Sequence, residues 1–503
     1  MTEGRILPNG GTIARSEIPV VDPEEFRDSV AEGVRAGARL AALFAAPAAA
    51  GARLYALLAW KERGVLSVLA AEAGERYPAL TPACEQAHLF EREIAEQWRV
   101  EPVGHPWLKP VRFELPRRPG RDLWPGQSEP PACAVMDFFR VEGEEVHEVA
   151  VGPVHAGIIE PGHFRFQCHG ETVHHLEIAL GYQHRGVERA LEGGPSLRTL
   201  PYVETLAGDT TVGHAYAYCR ALEALARCRV PARAQIWRGI ALELERIANH
   251  LGDLGALAGD IGFLPTMSYC GRIRGEVLNL TAALCGNRFG RGLLRPGGVG
   301  WDADAATVER LQAGLRTAMR DAESAVGLLW ETPSVLARFE SAGPLSAEAA
   351  GRLGLVGPAA RASGVDADVR RDFPYGIYRL THIPVATGRT GDVFARAFVR
   401  WQEAQRSAAF IQEQLEALPP GEIQAACGEP APDRLAAALV EGWRGAICHV
   451  VLTDGAGRLE RYKVVDPSFL NWFGLAYAMR GQPISDFPLC NKSFNLSYCG
   501  FDL

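Results

Sequence analysis

Seven of the thirteen histidines fall between Gly152 and His214. Imidazoles can hold a metal, donate to a carbonyl oxygen or carry a proton near neutral pH, so their spacing decides which chemistry is open. No HExxH or other histidine–carboxylate ligand spacing is present. The adjacent His174 and His175 would point to opposite faces of a strand and cannot join one site. Histidine ligation of a metal is therefore disfavoured. The eleven cysteines include no CxxC pair, which argues against a zinc ribbon and a disulfide framework and for reduced, cytoplasmic thiols. No GxGxxG or GxxxxGK[ST] run occurs, so no nucleotide site is expected. The net charge of −8, without a dense Lys/Arg patch, argues against a nucleic-acid partner.

The elements that must carry these residues follow from periodicity. His163–Cys168 alternates ring and polar residues as a half-buried strand does, Gly170–Glu171 turns the chain, and Val173–Leu180 returns. A helix then begins near Gln183–Glu188. Pro231 opens another helix over about Ala232–Leu257, whose apolar face is Ile236, Ile240, Leu244, Ile247, Leu251 and Leu254. Beside it runs a polar line, Glu243, Arg246, His250 and Asp253, which periodicity alone reads as a solvated face. Glu91-Arg92-Glu93 reads in the same way, as a charged helix start. Arg396, Arg400 and Glu403 share a further helix face, either as an internal ion-pair network or as an exposed ladder. Ile447–Leu452 and Arg458–Val465 form a hairpin around Asp454-Gly455.

The expected class is α+β, with a small α/β unit ahead of a larger, mainly helical one carrying small antiparallel sheets. Its divisions are residues 1–21, a loosely packed or disordered leader, then 22–113, a linker over 114–135, and 136–503. The linker is marked by Pro116, Pro119, Pro125, Pro130 and Pro131. The most apolar stretch, Leu40–Trp60, is broken by Pro47 and Arg53 and falls short of a membrane span.

Two motifs in order, Gly152-Pro153-x-His155 and Gly181-Tyr182-x-His184-Arg185-Gly186-x-Glu188, resemble the large subunits of hydrogenase-4 and formate hydrogenlyase. They also resemble the related 49-kDa subunit of complex I. Glu245-Arg246-x-x-Asn249-His250-Leu251, Cys270-Gly271-Arg272-Ile273-Arg274 and Asp466-Pro467-Ser468-Phe469-x-Asn471-Trp472 continue the likeness. Ahead of them, Glu91-Arg92-Glu93 followed by Gly104-His105-Pro106 is similar to the 30-kDa subunit of complex I, which implies a fusion of the two modules. In the nickel enzymes of this group two CxxC pairs hold the metal. Here those four positions carry Ala207, Thr210, Ser497 and Gly500, and Cys499 stands one residue out of register. The end of the chain, three residues beyond Gly500, implies that it lacks the tail removed when nickel enzymes mature.

The resemblance implies an electron-transfer subunit of a respiratory-type oxidoreductase without a nickel–iron centre. It would lie on the cytoplasmic face of the cell membrane, peripheral through its partners. Those partners would be a small iron–sulfur subunit of the 20-kDa type, a ferredoxin-like subunit and antiporter-like membrane subunits. The chain would bind no cofactor alone. Arg246, His250, Arg272 and Arg274 would lie near the partner's terminal [4Fe–4S] cluster. His155 would meet a quinone headgroup, and Glu188 would stand where the hydrogenases relay protons. A non-catalytic architectural subunit is the alternative, and an active hydrogenase is the disfavoured one.

Overall fold

The computed structural model describes residues 4–48, 51–118, 123–124, 132–155 and 159–503. Helix outweighs strand, and the mixed α+β class is the expected one. Pro119, Pro125, Pro130 and Pro131 of the linker lie outside the described residues.

The chain begins with β1 (Arg5–Pro8), β2 (Gly11–Ala14), β3 (Val20–Val21), α1 (Pro23–Arg35), β4 (Arg39–Ala48), β5 (Gly51–Trp60) and β6 (Val65–Ala73). Strands β1, β6, β5 and β4 lie side by side in that order, and β3 runs parallel to β6. The expected loose leader is corrected by β1 and β2. Leu7 and Ile13 are buried, and β1 closes on the edge of β6. With one buried side chain each, the two strands found sheet edges that local sequence cannot reveal. Helix α1 ends at Arg35. Leu40 to Ala46 are instead a continuous buried run within β4, the pattern of a strand covered on both faces.

Short β7 (Arg76–Pro78) and β8 (Glu101–Val103) pair in parallel, and α2 (His88–Trp98) lies between them in sequence. A three-stranded antiparallel sheet follows, of β9 (Val146–Val151), β10 (His163–His169) and β11 (Thr172–Ala179). Its β10–β11 turn is the expected one, with Gly170 at φ +56°. Next come α3 (Val187–Leu191), α4 (Thr199–Val203), α5 (Thr211–Ala226), α6 (Ala232–Asp260) and α7 (Leu264–Cys285). The ribbon β12 (Leu294–Arg295) and β13 (Gly298–Val299) leads to α8 (Ala305–Glu331), α9 (Pro333–Phe339), α10 (Ala347–Leu353), α11 (Gly357–Ala362), α12 (Val369–Asp372) and α13 (Val393–Glu416).

The last sheet is β14 (Arg434–Gly442), β15 (Gly445–Thr453) and β16 (Leu459–Val465), and β2 completes its edge beside β14. The predicted hairpin is β15–β16. Three helices end the chain: α14 (Pro467–Ala478), α15 (Phe487–Phe494) and α16 (Tyr498–Asp502). Helix α6 packs between α7 and α13, while α5 lies across β14 and β15. Each fully buried Leu, Ile or Val on these faces contributes roughly 1.5–3 kcal/mol relative to exposure. Among the described residues no helix is long and apolar enough to cross a membrane.

Candidate functional site

Two loops meet at Arg185. One precedes α5 and the other precedes α16. Arg185 joins them: its guanidinium donates to the carbonyls of Thr205 (2.7 Å), Leu206 (3.0 Å) and Cys499 (3.1 Å). Ala207 and Thr210 therefore lie on the stretch leading into α5, beside Ser497 and Gly500 at the start of α16. Ala207 is buried, and Thr210 Oγ1 accepts from Trp443 Nε1 at 3.1 Å. Ser497 Oγ accepts from Gly500 N at 2.9 Å and caps α16. A Cβ placed on Gly500 would come within 2.8–2.9 Å of the Asp466 carboxyl, so that position has no room for a side chain while Asp466 stays. Arg444 forks onto Asp209 at 2.6 and 2.7 Å and donates to Asn495 O at 2.5 Å.

The sulfurs do not converge here. Cys499 Sγ stands 3.3 Å from Ser497 Oγ, and Cys490 Sγ lies 3.8 Å from Arg396. Burial pushes both thiols up to about 11, away from the thiolate a metal needs. Among the described residues no group of three or more His, Cys, Asp or Glu is arranged to hold a metal ion. A methyl group, two hydroxyls and a hydrogen do not fit a nickel–iron centre, which takes soft thiolates.

From Asp466 a hydrogen-bonded chain runs inward. His214 Nε2 is 3.0 Å from Asp466 Oδ2, His214 Nδ1 is 3.1 Å from His449 Nε2, and His449 Nδ1 is 2.8 Å from the Tyr462 hydroxyl. All four side chains are buried. Asp466 also accepts from Ser468 N at 2.7 Å, capping α14. Burial alone would raise the Asp466 carboxyl, but the hydrogen bond from His214, with Arg444 nearby, holds it below its usual range. Burial, reinforced by His214, holds the His449 imidazole well below the ordinary histidine value. This chain was missed in the sequence, where His214 only marked a motif. One signal was present: His449 pairs with Val464 across the predicted hairpin, which places Tyr462 diagonally opposite it on the same face.

The polar line on α6 is buried, not solvated. Arg246 Nε donates to Glu243 at 2.9 Å, and its other nitrogens donate to the carbonyls of Gly442 and Glu441. Arg370 binds Glu243 at 3.0 Å, and Arg361 joins Glu403 (2.8 Å) to Glu441 (2.7 Å). His250 Nε2 is 2.9 Å from Glu403 Oε2, while its buried Nδ1 has no hydrogen-bond partner among the described residues. Burial lowers the His250 imidazole despite that carboxylate. Arg396, Arg400 and Glu403 are also buried, yet each finds a separate partner. Arg400 takes Asp253 at 2.7 Å, and Arg396 takes Ser493 at 2.8 Å.

Comparison with known proteins bears on this architecture directly. Residues 260–432 match the family model described as respiratory-chain NADH dehydrogenase, 49 Kd subunit. The carbon monoxide-induced hydrogenase of Rhodospirillum rubrum is 33% identical over 69% of this chain and 97% of that protein. The chain belongs to the 49-kDa subunit family. An NADH-quinone oxidoreductase subunit of Clostridium beijerinckii is 31% identical over 70% of the chain and 95% of its own length. Formate hydrogenlyase subunit 5 of Escherichia coli is 30% identical over 84% of the chain and 76% of its own length.

Within this 49-kDa family member, His155 is half-buried on the loop between β9 and β10, its Nε2 3.1 Å from Gly162 O. Beneath that loop lie Phe164, Trp472, Phe487 and Tyr498, with Phe164 ring centroids 5.7 Å from His155 and 6.5 Å from Tyr498. The Tyr498 hydroxyl is buried without a hydrogen bond among the described residues, and burial pushes it up to about 12. Sequence reading did not single it out.

Glu188 is not a surface glutamate. Its Oε1 accepts from Val464 N at 2.9 Å and lies 3.1 Å from Lys463, and Arg461 stands 2.8 Å from Oε2. Burial would raise this carboxyl, but Arg461 and Lys463 hold it well below the carboxylate range. Arg272 is an exposed cation bound to Glu276 and, at 2.8 Å, to Asp321 of α8. Arg274 packs its side chain over the Gly252 backbone, with Nε buried and unpartnered among the described residues. Neither arginine is bonded to His250, whose ring takes Glu403. An apolar cavity of about 370 Å³, lined by His88, Trp107, Phe139, Trp472 and Phe473, touches none of the residues predicted for the site.

Proposed function

We propose that the chain is an electron-transfer subunit of a membrane-associated oxidoreductase of the hydrogenase-4/complex I type and works without a nickel–iron centre. The observation that carries this reading is the closure of the metal-equivalent positions. Gly500 has no room beside Asp466, and the loops are held by Arg185, Arg444 and Trp443 through hydrogen bonds that need no metal. The relatives' names, an NADH-quinone oxidoreductase component and a formate hydrogenlyase component, support the class. Such a chain works beside a small iron–sulfur subunit, a ferredoxin-like subunit and antiporter-like membrane subunits, and sits on the cytoplasmic face through them.

In this reading a partner's [4Fe–4S] cluster supplies the electrons. Residues of this chain bind and orient the acceptor. His155, half-exposed on its loop, donates to a quinone carbonyl by turning its Nε2–H away from Gly162 O, and the hydroxyl of Tyr498 is a second donor in the aromatic nest below. His250, with one buried nitrogen unengaged, would tune the cluster through hydrogen bonding. Arg246 orients His250 through the shared Glu403, and Arg272 and Arg274 lie along the face offered to the small subunit. Glu188, held by two cations, anchors β16 and stands in the proton-relay position of the relatives.

Metal analysis of the purified complex is expected to find no stoichiometric nickel, and finding it would overturn the proposal. His155→Ala should abolish quinone reduction with the complex still assembled. A purely architectural role is favoured by the ion-paired locking of Glu188 and Arg246. It would be selected if His155→Ala and Tyr498→Phe left turnover intact while deleting the chain dissolved the complex.

A further inference from the structure

Asp466, His214, His449 and Tyr462 admit two proton arrangements that keep all three hydrogen bonds. With Asp466 ionised it can only accept, so His214 Nε2 carries the hydrogen and His214 Nδ1 must accept from His449 Nε2–H. His449 Nδ1 then accepts from the Tyr462 hydroxyl. Every donor points toward Asp466, and both imidazoles are neutral. One added proton reverses two of the bonds without breaking the chain. His214 Nδ1–H now donates to His449 Nε2, and His449 Nδ1–H donates to the Tyr462 oxygen. His214 is then an imidazolium against the Asp466 carboxylate.

We propose that these four side chains form a buried store for one proton, filled through the Tyr462 hydroxyl and held at His214 beside Asp466. The filling step balances. The Tyr462 O–H bond breaks as His449 Nδ1–H forms, His449 Nε2–H breaks as His214 Nδ1–H forms, and the incoming proton replaces the one Tyr462 gave up. No electron moves within the chain. Emptying runs the same shifts backward.

The surroundings suit a store more than a fixed ion pair. The charged groups facing it are Arg444 from the β14–β15 turn, on the Asp466 side, and Glu188 from α3, on the His449 and Tyr462 side. Arg444 is already forked onto Asp209, which offsets its repulsion of an imidazolium. Tyr218 and Cys219 of α5 and Cys448 of β15 are the other titratable neighbours, and burial keeps them neutral. A use for the store rests on the electron-transfer reading, because negative charge arriving in a partner's cluster favours proton uptake nearby.

The test is a titration of the full chain labelled with ¹⁵N-histidine, followed by NMR over roughly pH 5 to 9, the range in which imidazoles change charge. One proton should enter in a single step that makes His214 doubly protonated and switches His449 from its Nε2–H to its Nδ1–H tautomer. In Tyr462→Phe the switched tautomer loses its acceptor, so the proton affinity of that step should fall roughly tenfold. A His449 tautomer that stays fixed while His214 titrates, or a His214 that stays neutral throughout, would overturn the proposal without any variant. The same spectra of the assembled complex, reduced at constant pH, separate the two readings. A rise in imidazolium on reduction supports both. The titration step without a response to reduction keeps the store and removes its link to electron transfer.

Discussion

Strand β16 divides two buried polar systems of opposite character. Arg461 and Lys463 extend from one face into a cluster of fixed charges, while Tyr462 extends from the other into the chain of neutral, protonatable groups. In the charged cluster Lys463 Nζ lies 2.6 and 2.7 Å from the Glu93 carboxylate, Arg112 binds the same carboxylate, and Arg461 and Lys463 flank Glu188. Glu93 belongs to α2, so this cluster ties α2 to β16 across the fold. The neutral chain stays among α5, β15, β16 and the cap of α14. Formal charges that lose their water must be matched, which makes the first system rigid and costly to disturb. Neutral groups can exchange hydrogens at constant geometry, which lets the second move a proton. A slip of one residue in β16 would swap the two faces and destroy both.

The comparison breaks most sharply at Glu93. Glu93→Ala leaves Arg112 and Lys463 without their shared carboxylate and should lower stability by about 3–5 kcal/mol in urea denaturation. A loss below about 1 kcal/mol would show that the cluster is not what clamps α2 to β16.

Glu114 tests the same junction by pH. Burial would raise its carboxyl, but His184 brings it to about 2, and Glu114 in turn raises His184. A depressed carboxyl stabilises above its unfolded value of about 4.3 and loses that contribution as pH falls toward about 2. The raised imidazole stabilises below about 6.5 and loses its contribution as pH rises through its folded value. The pair is thus fully formed only between those limits. Glu114→Gln should reduce stability on the order of 2 kcal/mol near about pH 5.5, inside that window, and flatten the acid limb of the stability profile.

Gly500→Cys probes the metal-equivalent corner. The new side chain must displace Asp466, at a cost of about 1–3 kcal/mol by thermal or urea unfolding, and the variant should acquire no nickel. In the neutral chain Tyr462→Phe removes one hydroxyl of similar shape and should cost about 0.5–1.5 kcal/mol, well below the Glu93 change. Equal losses at the two positions would erase the distinction drawn between the faces of β16. Smallest of all, His155→Ala should change stability by less than about 1 kcal/mol, since its imidazole is half-exposed and bonded to one carbonyl. Loss of turnover at that small stability cost marks the residue as functional.

Charge was the property hardest to read in advance. Glu91, Glu93, Arg246 and His250 carry helical spacing that suits a water-facing stripe, yet each is buried. For two of them the partners come from segments far along the chain, Lys463 for Glu93 and Glu403 for His250, and no local pattern reports a distant counter-ion. The two N-terminal strands were hidden for the same reason: β2 pairs with β14 across most of the sequence. The β10–β11 and β15–β16 hairpins were legible, because a turn and a period-two pattern are local.

The sequence by itself determined which atoms are available: no CxxC pair anywhere, and a methyl, two hydroxyls and a hydrogen at Ala207, Thr210, Ser497 and Gly500. Side-chain chemistry is written in the residue and needs no fold to be known. Only the tertiary structure decided that Asp466 closes against Gly500 and that His214, His449 and Tyr462 continue from it. Hydrogen bonds of about 3 Å depend on where a helix, two strands and a cap meet, and that meeting is set by packing of the whole core.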